Sequence, residues 1–138
     1  MKVVAILLAL GLGLAAPAAG ADPVVRTFNA PVDRVWTVTE SVLKHLGWDI
    51  DNADRAVGFI TTESRSLDGE DYGVYAKGTR HRLRLHVKEV SAGKTSVSVE
   101  RIVFKRERIL FVDKDEPLVV GGDQSVEKTT LDTIAKAL

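Results

Sequence analysis

A run of strictly alternating side chains from Thr79 to Val90 constrains the fold of this chain more than any other feature. Leu83, Leu85 and Val87 fall on one face of an extended strand. The opposite face carries only charged or titratable side chains, which are Arg80, Arg82, Arg84, His86 and Lys88. The pattern predicts a half-buried antiparallel strand with one face on a core and the other in water.

The three residues Ser91-Ala92-Gly93 predict a hairpin loop after this strand, because Gly93 can occupy a left-handed position. A loop of this length fixes the register of the two strands. The predicted cross-strand pairs are Leu85 with Val99, Val87 with Val97, and Arg84 with Glu100.

The apolar positions change phase after Val99, since the next ones are Ile102 and Phe104. This change predicts a β-bulge near Glu100-Arg101 or a break in the strand between Lys105 and Arg108.

An amphipathic helix is predicted between Pro31 and Gly47. Pro31 suits the first turn, Asn29 or Ala30 would cap the start, and Gly47 would supply the left-handed residue that ends the helix. Trp36 lies on the apolar stripe and is therefore interpreted as a core residue. The stripe consists of Val32, Val35, Trp36, Thr39, Val42, Leu43 and Leu46.

The other elements complete an α+β pattern. Three further strands are predicted at Val24 to Phe28, Trp48 to Asn52 and Val57 to Ser64, with a turn at Asp54-Arg55 between the last two. A second helix is predicted from Asp123 to Leu138, capped by Asp123 or Ser125. This order predicts a two-layer domain. An antiparallel sheet packs on one face against a long N-terminal helix and a C-terminal helix, and its other face is in water.

The first 21 residues have the pattern of a signal peptide. Lys2 precedes an apolar run from Val3 to Ala16, and Ala19-Gly20-Ala21 matches a signal-peptidase site. The run is shorter than the roughly 20 residues that span a bilayer, so no membrane span is expected after cleavage. The sequence thus predicts a single exported domain at residues 22–138, either periplasmic or secreted.

Charge and chemistry exclude several classes of function. The chain has 19 basic and 19 acidic side chains, so the net charge does not favour nucleic acid or an anionic membrane as the main partner. His45, His81 and His86 do not form a metal triad, and no cysteine or nucleophile motif is present. A non-enzymatic protein without cofactor or metal is expected.

Two regions remain as candidate binding surfaces. Tyr72 and Tyr75 lie in a glycine-rich segment from Arg65 to Gly78 and would suit a protein interface if they are exposed. An ordinary mobile loop, or calcium binding by Asp68, Glu70 and Asp71, is the alternative for this segment. The second region is the basic strand face, and its candidate partner-binding residues are Arg80, Arg82, Arg84 and His86.

A family resemblance covers nearly all of residues 22–138. The chain resembles the helix-grip domains of BamC-type outer-membrane assembly proteins in the motifs Ala30-Pro31, Val35-Trp36, Leu46-Gly47-Trp48, Asp54-Arg55 and Gly58-Phe59-Ile60-Thr61. The Ala-Pro-x-x-x-Val-Trp opening is also similar to START-type lipid-binding domains, which share the broader helix-grip architecture.

The resemblance implies an exported interaction or accessory module that binds another envelope protein, and the process that it would serve is envelope or outer-membrane protein assembly. The START-like alternative implies a small apolar or lipid ligand in a cavity between helix and sheet. Its lining candidates are Trp36, Trp48 and Phe59.

Overall fold

The computed structural model describes residues 22–119 and 121–138. These residues form one eight-stranded antiparallel sheet and two helices. In chain order the elements are β1 (Val24–Phe28), α1 (Val32–His45), β2 (Ile50–Asp54), β3 (Phe59–Thr62), β4 (Arg65–Ser66), β5 (Glu70–Asp71), β6 (Ala76–Ser91), β7 (Lys94–Ile109), β8 (Val112–Leu118) and α2 (Ser125–Ala137). The α+β class is confirmed, and the predicted signal peptide lies outside the described residues.

The predicted hairpin between β6 and β7 is confirmed, but its loop is Ala92-Gly93 and not three residues, because Ser91 pairs with Lys94. Leu85 pairs with Val99, Val87 with Val97, and Arg84 with Glu100. Gly93 has a φ of 71°, as a left-handed turn residue requires.

The predicted bulge near Glu100-Arg101 and the alternative break between Lys105 and Arg108 are both wrong. Strand β7 runs unbroken from Lys94 to Ile109, and its register with β6 shifts only between Glu89 and Ser91. The change of phase has another cause. Ile102 and Phe104 are buried on the face opposite to the helices, opposite Arg82 and Arg80 in the register.

The C-terminal end of α1 follows the prediction. Gly47 is left-handed with a φ of 84°. Its N–H donates to the Lys44 carbonyl at 3.0 Å, and the Trp48 N–H donates to the Leu43 carbonyl at 2.8 Å. These two bonds form a Schellman motif, which turns Trp48 back towards the core.

The start of α1 differs from the prediction, since neither Asn29 nor Ala30 caps it. Pro31 occupies the N-cap position with an extended ψ of 151°, and no side chain accepts a capping hydrogen bond. The Ala30 carbonyl accepts a hydrogen bond from the buried Thr95 hydroxyl at 2.8 Å instead. Residue 30 is therefore fixed to β7 of the sheet, and the helix begins two residues later.

Both helices cover one face of the sheet. They are nearly equal in length, at 14 residues for α1 and 13 for α2, so α1 is not distinguished as a long helix. Arg26 on β1 also donates to Asp132 on α2 at 2.7 Å. The buried core consists of Phe28, Ala30, Val35, Trp36, Val42, Leu43, Trp48, Ile60, Leu83, Leu85, Val87, Val97, Val99, Leu131 and Ile134.

The start of α2 also differs from the prediction, since the helix begins at Ser125 and its N-cap residue is the left-handed Gln124, without a side-chain capping hydrogen bond. The carboxylate of Asp123 accepts a hydrogen bond from the Ser125 N–H at 3.1 Å. Within the described part of the chain, neither helix is both long enough and apolar enough to cross a membrane.

Candidate interaction surface at the end of a β arm

The β6–β7 hairpin extends well beyond the part of the sheet that the helices cover. Each of the two strands has 16 residues, but among the described residues the core cluster includes no residue of β7 beyond Val99. Strand β8 pairs with residues 103–109 of β7, and β5 pairs with the first residues of β6. We call this projecting part, made of residues 70–82 and 102–118, the β arm.

A small apolar cluster stabilises the arm on its outer face, which is the face opposite to the helices. Phe104 is only 6% exposed. The guanidinium carbons of Arg106 and Arg82 lie 5.4 Å and 5.9 Å from the centre of its ring. Arginine side chains thus take the place of a covering helix here, because their aliphatic stems can pack on an aromatic ring.

The far end of the arm is a two-residue turn, Leu110-Phe111, between β7 and β8. Both residues have positive φ, at 51° and 65°, which is the conformation of a type I′ turn and is normally adopted by Asn-Gly. Leu110 is 65% exposed and Phe111 is 74% exposed. The sequence interpretation treated this region only as a change of phase and missed the turn.

A second turn, residues 72–75, lies beside the first. The Tyr72 N–H donates to the Tyr75 carbonyl at 2.7 Å, and the Phe111 N–H donates to the Val74 carbonyl at 3.2 Å. Large apolar side chains therefore converge at one end of the molecule. We call this group the apolar tip; each member is more than half exposed, and the members are Tyr72, Tyr75, Ile109, Leu110, Phe111 and Val112.

The charged residues directly behind the tip pair with one another. Arg108 donates to Asp113 at 2.6 Å and to Asp71 at 3.2 Å. The Arg108 hydrogen bond holds the pKa of Asp113 below its usual value. The Gly73 N–H, with Arg108 as a further cause, does the same for the pKa of Asp71. Each of these three groups is paired, and the set has one negative charge in excess because two carboxylates share Arg108.

A surface pocket of about 240 Å³ lies against the same end of the arm, and its walls include Tyr72, Tyr75, Arg108 and Ile109. The acidic residues of this segment have partners within the chain, since Asp68 accepts from the Thr79 N–H at 2.9 Å and Asp71 binds Arg108. Across residues 22–119 and 121–138, no three acidic or histidine side chains are grouped so that they could hold a metal ion.

The predicted basic residues lie on the outer face but do not form one continuous site with the tip. Arg80 donates to the Ser64 hydroxyl and carbonyl, both at 2.8 Å. The Arg82 Nε is buried and has no acceptor among the described residues. His86, at the far end of the row from the tip, packs against Phe59 with ring centres 4.9 Å apart.

The three candidates for a ligand cavity do not lie together. Trp36 and Trp48 are 3% and 2% exposed and belong to the core between helices and sheet. Phe59 is next to the buried Ile60 on β3 and therefore points to the opposite face, where it contacts His86. A cavity between helix and sheet cannot be lined by all three.

An aromatic and cationic cluster that sequence reasoning did not anticipate surrounds Trp48. The Arg65 guanidinium carbon lies 3.4 Å from the centre of the indole, and the His81 ring centre is 4.9 Å away. Arg101 donates to His81 Nδ1 at 2.9 Å. Burial, followed by repulsion from Arg101, Arg65 and Arg80, lowers the pKa of His81 to about 4. His81 is therefore neutral at pH 7, and its Nδ1 is the acceptor.

No protein-family model matches the chain, and no curated protein matches it with significant similarity.

Proposed function

We propose that this chain is a non-enzymatic, exported accessory module of the cell envelope, with a helix-grip-like domain that binds another envelope protein through its β arm. The resemblance to BamC-type domains supports the class of protein. The signal-peptide pattern of residues 1–21 supports export.

The apolar tip is the observation that carries the proposal. Six large apolar side chains at one end of the molecule are each between 51% and 74% exposed. Contiguous apolar patches of this kind usually mark interaction sites, and tyrosine is enriched in protein interfaces. The two tyrosines predicted as partner-binding residues, Tyr72 and Tyr75, are both part of the patch.

The arginine row on the outer face would extend the contact. Arg82 and Arg84 are half-buried, and neither forms an ion pair within 4.0 Å among the described residues. An acidic partner surface could therefore pair with them without breaking an existing salt bridge of this chain. Electrostatic contacts of this type contribute mainly to association rate and specificity.

Site-specific photo-crosslinking in intact cells tests the proposal. A photoreactive residue at Tyr72 is expected to capture an envelope protein. The matched control is the same residue at Val57, which is 71% exposed on the turn between β2 and β3. Capture at both positions, or at neither Tyr72 nor Tyr75, would contradict the proposal. The double variant Arg82→Ala and Arg84→Ala is expected to reduce the Tyr72 adduct if the arginine row contributes.

A further inference from the structure

We propose that the apolar tip inserts into the lipid–water interface of a membrane, with Leu110 and Phe111 deepest. The inference rests on the proposed function in one respect, which is that the end of the arm is a contact surface. It goes further by naming the lipid interface as what the outermost side chains contact. The chain would lie on the membrane by this tip without spanning it.

The order of side chains along the arm matches the depth profile of such an interface. The turn at residues 110–111 is outermost, the apolar pair Ile109 and Val112 follows, and the ion pair of Arg108 and Asp113 comes next. The ion pair lies two residue steps along each strand from the turn, which is about 7 Å at 3.3 Å per residue. Interfacial elements bury their apolar side chains to a depth of about 5–10 Å. The apolar part of the tip therefore has the length that this depth requires.

Tyr72 and Tyr75 occupy the level where aromatic residues concentrate in membrane-bound proteins. Their turn lies beside the outermost turn, joined to it by the hydrogen bond from the Phe111 N–H to the Val74 carbonyl. A tyrosine has an apolar ring and a polar hydroxyl, so it is stable where headgroups meet acyl chains.

The charges behind the tip favour a lipid interface over a specific protein surface as the contact of the outermost turn. Arg108, the charged residue nearest to that turn on β7, already binds Asp113, Asp71 and the Gly73 carbonyl. It therefore has little capacity left to select a complementary charge on a protein. Paired charges also lose less hydration free energy near lipid than unpaired ones. Because Arg108 is shared by two carboxylates, this set has one negative charge in excess and no unpaired cation. The binding is therefore expected to need no anionic lipid and to persist at high salt.

The backbone of the turn is consistent with a functional role for its two side chains. Leu110 and Phe111 are both left-handed, a conformation that disfavours residues with a Cβ. Strained backbone of this kind tends to occur at binding sites. In a type I′ turn both residues lie at the outermost point of the hairpin, so the strain presents two apolar side chains together.

A fluorescent reporter at the tip tests the inference. The variant Phe111→Trp keeps an apolar residue at the outermost turn, and Val57→Trp places the same reporter on an equally exposed turn elsewhere. Trp36 and Trp48 are buried in both variants and give the same background. The probe membrane is a phosphatidylcholine vesicle, with and without brominated acyl chains. Because each reporter responds to its own surroundings, the apolar run at residues 3–16, which both variants share, does not affect the comparison.

The expected result is a blue shift and bromine quenching for Phe111→Trp, at low and high salt, with no response for Val57→Trp. Adding Leu110→Asn to the Phe111→Trp variant is expected to weaken vesicle binding about tenfold, through lost burial of one leucine. No response at either reporter, or an equal response at both, would overturn the inference. Capture of a protein at Phe111 by photo-crosslinking, without a lipid response, would also overturn it and leave the proposed function standing. A lipid response without any protein adduct at Tyr72 or Tyr75 would support the inference and count against the protein-binding proposal.

Discussion

The guanidinium of Arg65 lies over the indole of Trp48, with its central carbon 3.4 Å from the ring centre. Arg65 Nη1 also donates at 3.0 Å to the carbonyl of Leu46, the C-cap residue of α1. One side chain from β4, the short strand that pairs with the arm residues Arg80 and His81, thus covers a core tryptophan and binds the end of a helix. This contact joins the strand beside the arm to the helical layer.

Replacing Arg65 with Lys is expected to lower the free energy of unfolding by about 1–2 kcal/mol, because an ammonium cannot stack on the indole while donating to Leu46 in the same geometry. Urea unfolding followed by tryptophan fluorescence measures the change. The control is Arg55→Lys, since Arg55 pairs with Asp33 on the surface, and a change of less than about 0.5 kcal/mol is expected there. Equal effects of the two variants would show that the stack does not contribute.

The stability of the protein is expected to fall as the pH decreases from 6.5 towards 4. Burial and nearby arginines lower the pKa of His81 from 6.5 to about 4 in the folded state. In this window the unfolded chain binds a proton that the folded chain does not, so acid favours unfolding, by up to about 3 kcal/mol. Above pH 6.5 His81 no longer makes the free energy of unfolding depend on pH.

Urea unfolding at a series of pH values checks this dependence. The variant His81→Gln cannot be protonated, and its stability is expected to vary less between pH 6.5 and 4, even though it loses the contact with Trp48. The exposed His86, replaced by Gln, serves as the control and is expected to keep the slope of the unchanged protein. A His81→Gln profile parallel to that of the unchanged protein would contradict the assignment.

Gly58→Ala is expected to destabilise the fold by about 3 kcal/mol or more. Gly58 has a φ of 79°, and a Cβ there would collide with the Val87 carbonyl oxygen on β6. The Gly58 carbonyl also accepts a hydrogen bond from the Val87 N–H at 2.8 Å. Strand β3, which begins at Phe59, therefore cannot move freely away from β6 to relieve the collision. Gly73→Ala is the matched control, since Gly73 has a φ of 78° with nothing within 4 Å of the added Cβ. Its cost is expected to be only the backbone strain, about 1 kcal/mol; equal costs would show that the contact with Val87 is unimportant.

The double variant Leu110→Asn and Phe111→Gly is expected to raise the free energy of unfolding by about 1–2 kcal/mol, because Asn-Gly adopts the left-handed positions of this turn without strain. Thermal and urea unfolding measure the gain. The same variant removes the outermost apolar side chains. If it is more stable but no longer binds a membrane or a partner protein, the loss of binding is not caused by unfolding. A loss of stability would mean that the two side chains support the fold through contacts within the arm.

Local patterns predicted several parts of the fold correctly because their causes are local. The alternation around Leu83 and Leu85 fixed which face of β6 is buried, and the short loop ending at Gly93 fixed the register with β7. Gly47 ended the helix where its left-handed preference required. By contrast, the cap at Asn29 was wrong because a contact distant in sequence, from Thr95 to Ala30, positions that turn.

The sequence likewise predicted one part of the candidate site and missed another. The sequence indicated Tyr72 and Tyr75, since tyrosines that are exposed in a glycine-rich segment would suit a protein interface. It did not indicate Leu110 and Phe111, because a short apolar run is equally typical of a buried strand. Only the length of the arm relative to the helices decides that these side chains remain uncovered.

The sequence by itself therefore determined the α+β class, the central hairpin and the helical core, since periodicity and turn residues act over a few neighbouring positions. The tertiary structure decided where the helices stop covering the sheet, which brings residues 72–75 beside residues 110–111 and places His81 and Arg65 on Trp48. These relationships join residues far apart in the chain, and their free energy depends on burial that exists only after the sheet and helices have packed.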